Sequence, residues 1–251
     1  MNILEITSLT KRFFGFEALK DVSTEVRKGE ILALIGPNGS GKTTLFNCIT
    51  GFLRPDLGQI QFNGVNITRR APHTISRLGI ARTFQLVRVF PNLDVLENML
   101  VAVQEHQERS FFSRVLRSPG VRKNEKLAKE RAINLLEFVG LEPFKDLAAK
   151  NLSYGQRKLL TFVIAMMPEP ELILLDEPAA AVNPTMINHI KQYIRDLNEL
   201  GITIFLIEHN MDVVMDLAHR IIVLDYGSII AEGKPQEIKN NERVIEAYFG
   251  H

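Results

Sequence analysis

Apolar positions along this chain come in two rhythms. Near-continuous runs such as Ile31-Leu32-Ala33-Leu34-Ile35, Leu172-Ile173-Leu174-Leu175, residues 202–207 and Ile221-Ile222-Val223-Leu224 leave almost no polar face. Between them, residues of about 42–51 and 184–200, and a segment from about Asn210, carry apolar side chains at helical spacing. Buried strands alternating with helices predict a parallel sheet covered on both faces. Two further strands are predicted over 3–9 and 17–26, with Ile3, Ile6, Leu9, Leu19, Val22 and Val26 as their apolar positions. Lys11-Arg12-Phe13-Phe14-Gly15-Phe16 lies between them, three aromatics around a turn glycine. Gln59-Ile60-Gln61-Phe62 alternates before a turn at Asn63-Gly64, a short helix is predicted over 71–78, and 80–84 reads as a strand ending at Gln85.

From Leu86 to about Gly155 the rhythm becomes helical. Asp94 and Glu97 are spaced as a capping box, and 124–139 carries Leu127, Ala128, Ala132, Leu135, Leu136 and Val139, closed by Gly140. A helix after Gly155 is predicted to reach about Met167 and stop at Pro168. The intervening piece 109–123 mixes Arg109, Arg114, Arg117, Arg122 and Lys123 with Phe111 and Phe112. Such a piece suits either a solvated helix packed on its own domain or contact with anionic headgroups or a partner's loops. Residues 228–251 add a short strand and one or two small helices.

Composition narrows the setting. The chain has 251 residues, enough for one large α/β domain, and 30 basic against 29 acidic residues leave no global field that would attract nucleic acid. The single cysteine, Cys48, suits a reducing compartment and reads as a small buried hydrophobe. The first residues lack a signal-peptide layout, and no apolar run reaches the roughly 20 residues a membrane span needs. A soluble, cytoplasmic protein is expected.

Two stretches carry chemistry. Gly36-Pro37-Asn38-Gly39-Ser40-Gly41-Lys42-Thr43-Thr44 fits the pattern G-x-x-x-x-G-K-[ST] between a predicted strand and helix. Its glycines let successive N–H groups turn inward on a phosphate, and the following helix aims its positive end at the same anion. Lys42 is predicted to bridge the β- and γ-phosphates of a nucleoside triphosphate, with the Thr43 hydroxyl on Mg²⁺. Leu172 to Glu177 is the second stretch: a buried strand delivering Asp176, a metal ligand, and Glu177, a base for the attacking water. Strand neighbours point to opposite faces, so both must sit at the strand's end to reach one site.

Leu152-Ser153-Tyr154-Gly155-Gln156 resembles the signature sequence of ATP-binding-cassette (ABC) ATPases, with Tyr154 at a position where glycine is common. Ser153 alone reads as a helix N-cap. The resemblance adds roles for Ser153, Gly155 and Gln156 on the nucleotide of a second cassette. It also implies a Q-loop glutamine on Mg²⁺ at Gln85, a switch histidine at His209, and an aromatic stacked on adenine at Phe13, with Phe14 and Phe16 as alternatives. Ala181-Val182-Asn183-Pro184 occupies the D-loop position with Ala and Asn where Gly and Asp are frequent.

With Thr83-Phe84-Gln85, Leu96-Glu97-Asn98 and the ending Val244 to Gly250, the chain is similar to ATP-binding subunits of branched-chain or hydrophobic amino-acid uptake systems. The implied fold is an α/β P-loop NTPase cassette: a mainly parallel core sheet, an N-terminal antiparallel β lobe, and a helical subdomain over about 86–158. The implied cofactors are ATP and Mg²⁺. The implied partners are a second ABC ATPase subunit, transmembrane permease subunits and, indirectly, an extracytoplasmic solute-binding protein, with the chain peripheral on the cytoplasmic membrane face. The ATPase of lipopolysaccharide export and soluble ABC ATPases of translation or DNA repair are the alternatives. The 105–125 insertion argues against the first, and a lone cassette without a long coiled coil argues against the second.

Overall fold

The computed structural model describes residues 1–83, 89–104 and 119–249. They fall into two compact units, 1–85 with 171–251, and 86–170. The predicted strand end at Phe84-Gln85 and most of the 105–125 insertion lie outside the described residues.

The first unit holds two sheets. Strands β1 (Asn2–Phe13), β2 (Phe16–Arg27), β4 (Leu57–Phe62) and β5 (Val65–Asn66) form an antiparallel sheet in the order β2-β1-β4-β5. β1 and β2 run further than their apolar alternation indicates, meeting at a two-residue turn where Phe14 and Gly15 both have positive φ. Such turns match the twist of paired strands. Phe13, Phe14 and Phe16 therefore sit exposed at a hairpin tip, and none is a core residue.

The second sheet has six strands: β3 (Ile31–Ile35), β6 (Ile80–Arg82), β7 (Leu172–Asp176), β8 (Thr203–Ile207), β9 (Arg220–Asp225) and β10 (Ser228–Gly233). Their order is β10-β9-β3-β8-β7-β6, and every neighbouring pair is parallel except β9 with β10. All residues of β3, β7 and β8 are buried, which is why these strands read as unbroken apolar runs. Helix α1 (Lys42–Ile49) packs Phe46 edge-on against Phe205 of β8, ring centroids 5.0 Å apart. Ile6, Leu9, Leu19, Leu34, Phe46, Phe62, Phe205 and Leu224 share one cluster, so both sheets are closed over a common core. Cys48 is fully buried in it, and burial pushes its thiol up to about 12. The short helix α2 (Pro72–Arg77) precedes β6.

Helix α6 (Pro184–Glu199) lies between β7 and β8 in sequence, and α7 (Met211–Leu217) follows β8. The C-terminal α8 (Pro235–Lys239) and α9 (Glu242–Phe249) complete this unit.

The second unit is helical: α3 (Val95–Gln104), α4 (Pro119–Phe138) and α5 (Tyr154–Ile164), with 3₁₀ turns at Glu142–Phe144 and Ala149–Asn151. The predicted box forms: the Glu97 N–H donates to Asp94 Oδ1 at 2.6 Å, and the Asp94 N–H to Glu97 Oε2 at 2.9 Å. Ala132, Leu136 and Val139 are buried, whereas Leu127 is 53% exposed. Five residues separate Leu127 from Ala132, which turns it roughly 140° away from the buried stripe. Helix α5 stops three residues short of the predicted Met167. Its last turn tightens, with the Met166 and Met167 N–H groups donating to Val163 O and Ile164 O. Among the described residues no helix is long and apolar enough to cross a membrane.

Candidate nucleotide site

Sheet order sets the site. Because β3, β8 and β7 are adjacent and parallel, the segments leaving their carboxyl ends emerge side by side. These are the Gly36–Gly41 loop, Glu208-His209 and Asp176-Glu177. Ligands of open α/β sheets bind at that edge.

Two glycines of the loop have no substitute. A Cβ on Gly36 (φ +152°) would lie 2.0 Å from Leu224 O, and one on Gly41 (φ +108°) would lie 2.4 Å from Ala18 O. Pro37, Asn38 and Gly39 form the outer turn, with Ser40 buried beneath. Gly41 is the N-cap of α1 and supplies no side-chain cap, so the helix's first N–H groups are left for an anion. Lys42 is buried, and its Nζ donates to Gly36 O and Pro37 O, both at 2.8 Å, and to Ser40 Oγ at 3.4 Å. Burial lowers its pKa, opposed by the negative charges of Glu177 and Asp176. The ammonium thus lies in the field of both carboxylates. Thr43 and Thr44 follow in the first turn of α1, Thr43 exposed.

Asp176 closes β7 and is buried. Its Oδ2 is 2.8 Å from Arg82 Nη2, and its N–H donates to Thr83 Oγ1 at 3.4 Å. The same guanidinium donates through Nη1 to Asn47 Oδ1 (2.7 Å) and Thr50 Oγ1 (3.2 Å) and lies 5.6 Å from the Phe46 ring centroid. Glu177 then departs from strand geometry with φ +50°, a conformation that costs a non-glycine residue about 1–3 kcal/mol. The chain thus leaves the side-to-side alternation of the strand immediately after Asp176. The Glu177 N–H donates to Ile207 O at 2.9 Å, and His209 Nε2 stands 3.1 Å from Glu177 Oε1.

The predicted residues separate into three groups. Lys42, Asp176, Glu177 and His209 converge at one sheet edge with the loop and Thr43. Phe13 sits at the hairpin tip, the Lys11 ammonium 5.4 Å from its ring centroid. Ser153, Gly155 and Gln156 belong to the helical unit. There Ser153 Oγ accepts from the Gln156 N–H at 3.2 Å, and Gln156 Oε1 accepts from the Ser153 N–H at 2.9 Å, a complete capping box. Gln85 lies outside the described residues.

Sequence reasoning missed Arg82 and Glu208. Their one sequence signal is a charge at the end of an apolar run. Glu208 is buried, with Oε1 accepting from the Ala179 N–H at 2.7 Å and Oε2 from the His209 and Asn210 N–H groups at 3.0 and 3.1 Å.

Residues 19–180 match the family model described as ABC transporter, and 228–251 match that of the branched-chain amino acid ATP-binding cassette transporter. The chain is 41% identical to the high-affinity branched-chain amino acid transport ATP-binding protein BraF of Pseudomonas aeruginosa, over 99% of this chain and 98% of that protein. It is 42% identical to a probable branched-chain amino acid transport ATP-binding protein, LivG, of Archaeoglobus fulgidus, over 100% of this chain and 96% of the relative. Among solved structures, the ADP conformation of the ABC transporter cassette MJ1267 is similar with TM-score 0.87 and 36% identity, covering 100% of both chains. A dimeric post-hydrolysis state of the cassette MJ0796, bound to ADP and Pi, is similar with TM-score 0.77 and 26% identity, over 92% of this chain and 98% of that one. With the phosphate loop, the carboxylate strand and a full-length match in agreement, the chain belongs to the ATP-binding cassettes of the ABC transporter family.

Proposed function

We propose that this chain is the ATP-hydrolysing subunit of an importer for branched-chain or other hydrophobic amino acids. The observation that carries the reading is the meeting of Lys42, Asp176, Glu177 and His209 at one sheet edge, in a chain similar over its whole length to BraF and LivG. In this reading the loop N–H groups and the α1 N-terminus hold the phosphates, and Lys42 exchanges the loop carbonyls it now contacts for β- and γ-phosphate oxygens. The Thr43 hydroxyl and the Asp176 carboxylate, with Gln85, are the hard oxygen donors that suit Mg²⁺, which neutralises charge on the phosphates when bound. Glu177 takes the proton of the attacking water, and His209 holds Glu177 and the γ-phosphate in register.

Two cassettes face each other, each ATP lying between the loop of one and Ser153 and Gly155 of the other. The helix end capped by Ser153 supplies a second positive dipole end to the phosphates. Phe13 stacks on the adenine. Closure and release drive permease subunits at the cytoplasmic membrane face, and solute choice rests with those subunits and a binding protein. The test is Mg–ATP turnover by the purified chain beside its Lys42→Ala variant. Turnover should fall at least 10²- to 10³-fold, the cost of removing one preorganised donor. Undiminished turnover in the variant would refute the role given to Lys42. Co-expression with permease subunits should restore uptake of a branched-chain amino acid in a transport-deficient cell.

A further inference from the structure

Glu177 and His209 are carried by separate turns, after β7 and after β8, and neither turn is regular structure. Something must fix one against the other for His209 Nε2 to stand 3.1 Å from Glu177 Oε1. The one backbone bond described above, Glu177 N–H to Ile207 O, ties only the roots of the two turns. Beyond it, Glu208 spans the gap. The residue is 2% exposed, and its two carboxylate oxygens accept three backbone N–H groups: Ala179 from the turn after Glu177, and His209 and Asn210 from the turn after β8. Bonds to an ionised acceptor are shorter and about twice as strong as neutral ones. The bond to Ala179 also lies within a turn strained at Glu177 (φ +50°) and Ala181 (φ +58°). Strained backbone persists where its surroundings over-determine it.

We propose that Glu208 is a positioning residue for ATP hydrolysis: its buried carboxylate staples the two turns together and so sets the Glu177–His209 contact. The inference rests on the ATPase reading above and deepens it. Glutamine at this position keeps the shape but offers one acceptor oxygen, and its NH₂ would confront an N–H donor. At least one of the three bonds is then lost, and one turn moves relative to the other. The phosphate loop makes no bond to Glu208, so nucleotide binding stays intact.

The experiment compares wild type, Glu208→Gln and Glu208→Asp for ATP affinity, KM, kcat and crystal structure. For Glu208→Gln we expect ATP affinity and KM within about twofold of wild type and kcat reduced roughly 10- to 100-fold, the scale of a small misplacement of reacting groups. Glu208→Asp keeps the charge one methylene short and should recover part of kcat, which covers the case in which the glutamine variant does not fold. In the variant crystal structure the His209–Glu177 contact should open while Gly36–Lys42 is unchanged. Unchanged kcat, or ATP affinity falling in parallel with kcat, would overturn the proposal, as would an intact contact in the variant structure. If wild type itself turned over no ATP, the ATPase reading would fail, and the two crystal structures would still decide the role of Glu208.

Discussion

Arg82 and Asp176 show what a single buried charge demands. Each is nearly sealed from solvent, at 5% and 7% side-chain exposure, and 94 residues of sequence separate them. Removing one partner strands the other, which typically costs 3–5 kcal/mol, while replacing both with apolar groups can be close to neutral. Arg82→Met should therefore lose roughly 3–5 kcal/mol in urea unfolding, and Arg82→Met with Asp176→Leu markedly less. A loss below about 1 kcal/mol in the single variant would mean that Asp176 finds water instead. Legibility at this scale follows locality. The loop glycines can be read because a phosphate-cradling backbone requires them at fixed spacing, and Gly36 and Gly41 sit where no side chain fits. The partnerships of Arg82 with Asp176 and of Glu208 with Ala179 join distant stretches of chain, and no short-range spacing announces them.

Elements are legible where burial is extreme or a cap is local. Strands β3, β7 and β8 were readable from uninterrupted apolar runs, and the α3 box from two residues three apart. The hairpin's full length was hidden because β1 and β2 carry polar, exposed residues toward their tip. The end of α5 was hidden because Met166 and Met167 remain buried after leaving the helix, so the apolar pattern outlasts the helical bonds. Ser153 is at once the cap of α5 and a residue proposed to meet a partner's nucleotide, and two substitutions separate these roles. Ser153→Ala should cost the helical unit about 1 kcal/mol. Ser153→Asp caps equally well, so its melting should match wild type, yet its carboxylate would oppose the phosphates and depress ATPase turnover. Full turnover in Ser153→Asp would leave Ser153 as a cap alone.

At the scale of the molecule, alternation of buried strands with helices indicated a mainly parallel sheet, but not its order. β3 lies in the middle of its sheet although it comes first in sequence among those strands, and this crossover sets the loop beside His209 and Glu177. Strand order is decided by packing among distant segments, to which periodicity is blind. The structure divides into two compact units, 1–85 with 171–251 and 86–170. The proposed working unit is two molecules, with ATP joining the loop of one cassette to Ser153 and Gly155 of another. Glu177→Gln should retain ATP uncut and so preserve that joint. The most direct measurement is the mass of this variant in solution by light scattering, with ATP and with ADP. Twice the monomer mass is expected with ATP and the monomer mass with ADP; a variant that binds ATP at saturation and stays monomeric would contradict the ATP-joined dimer.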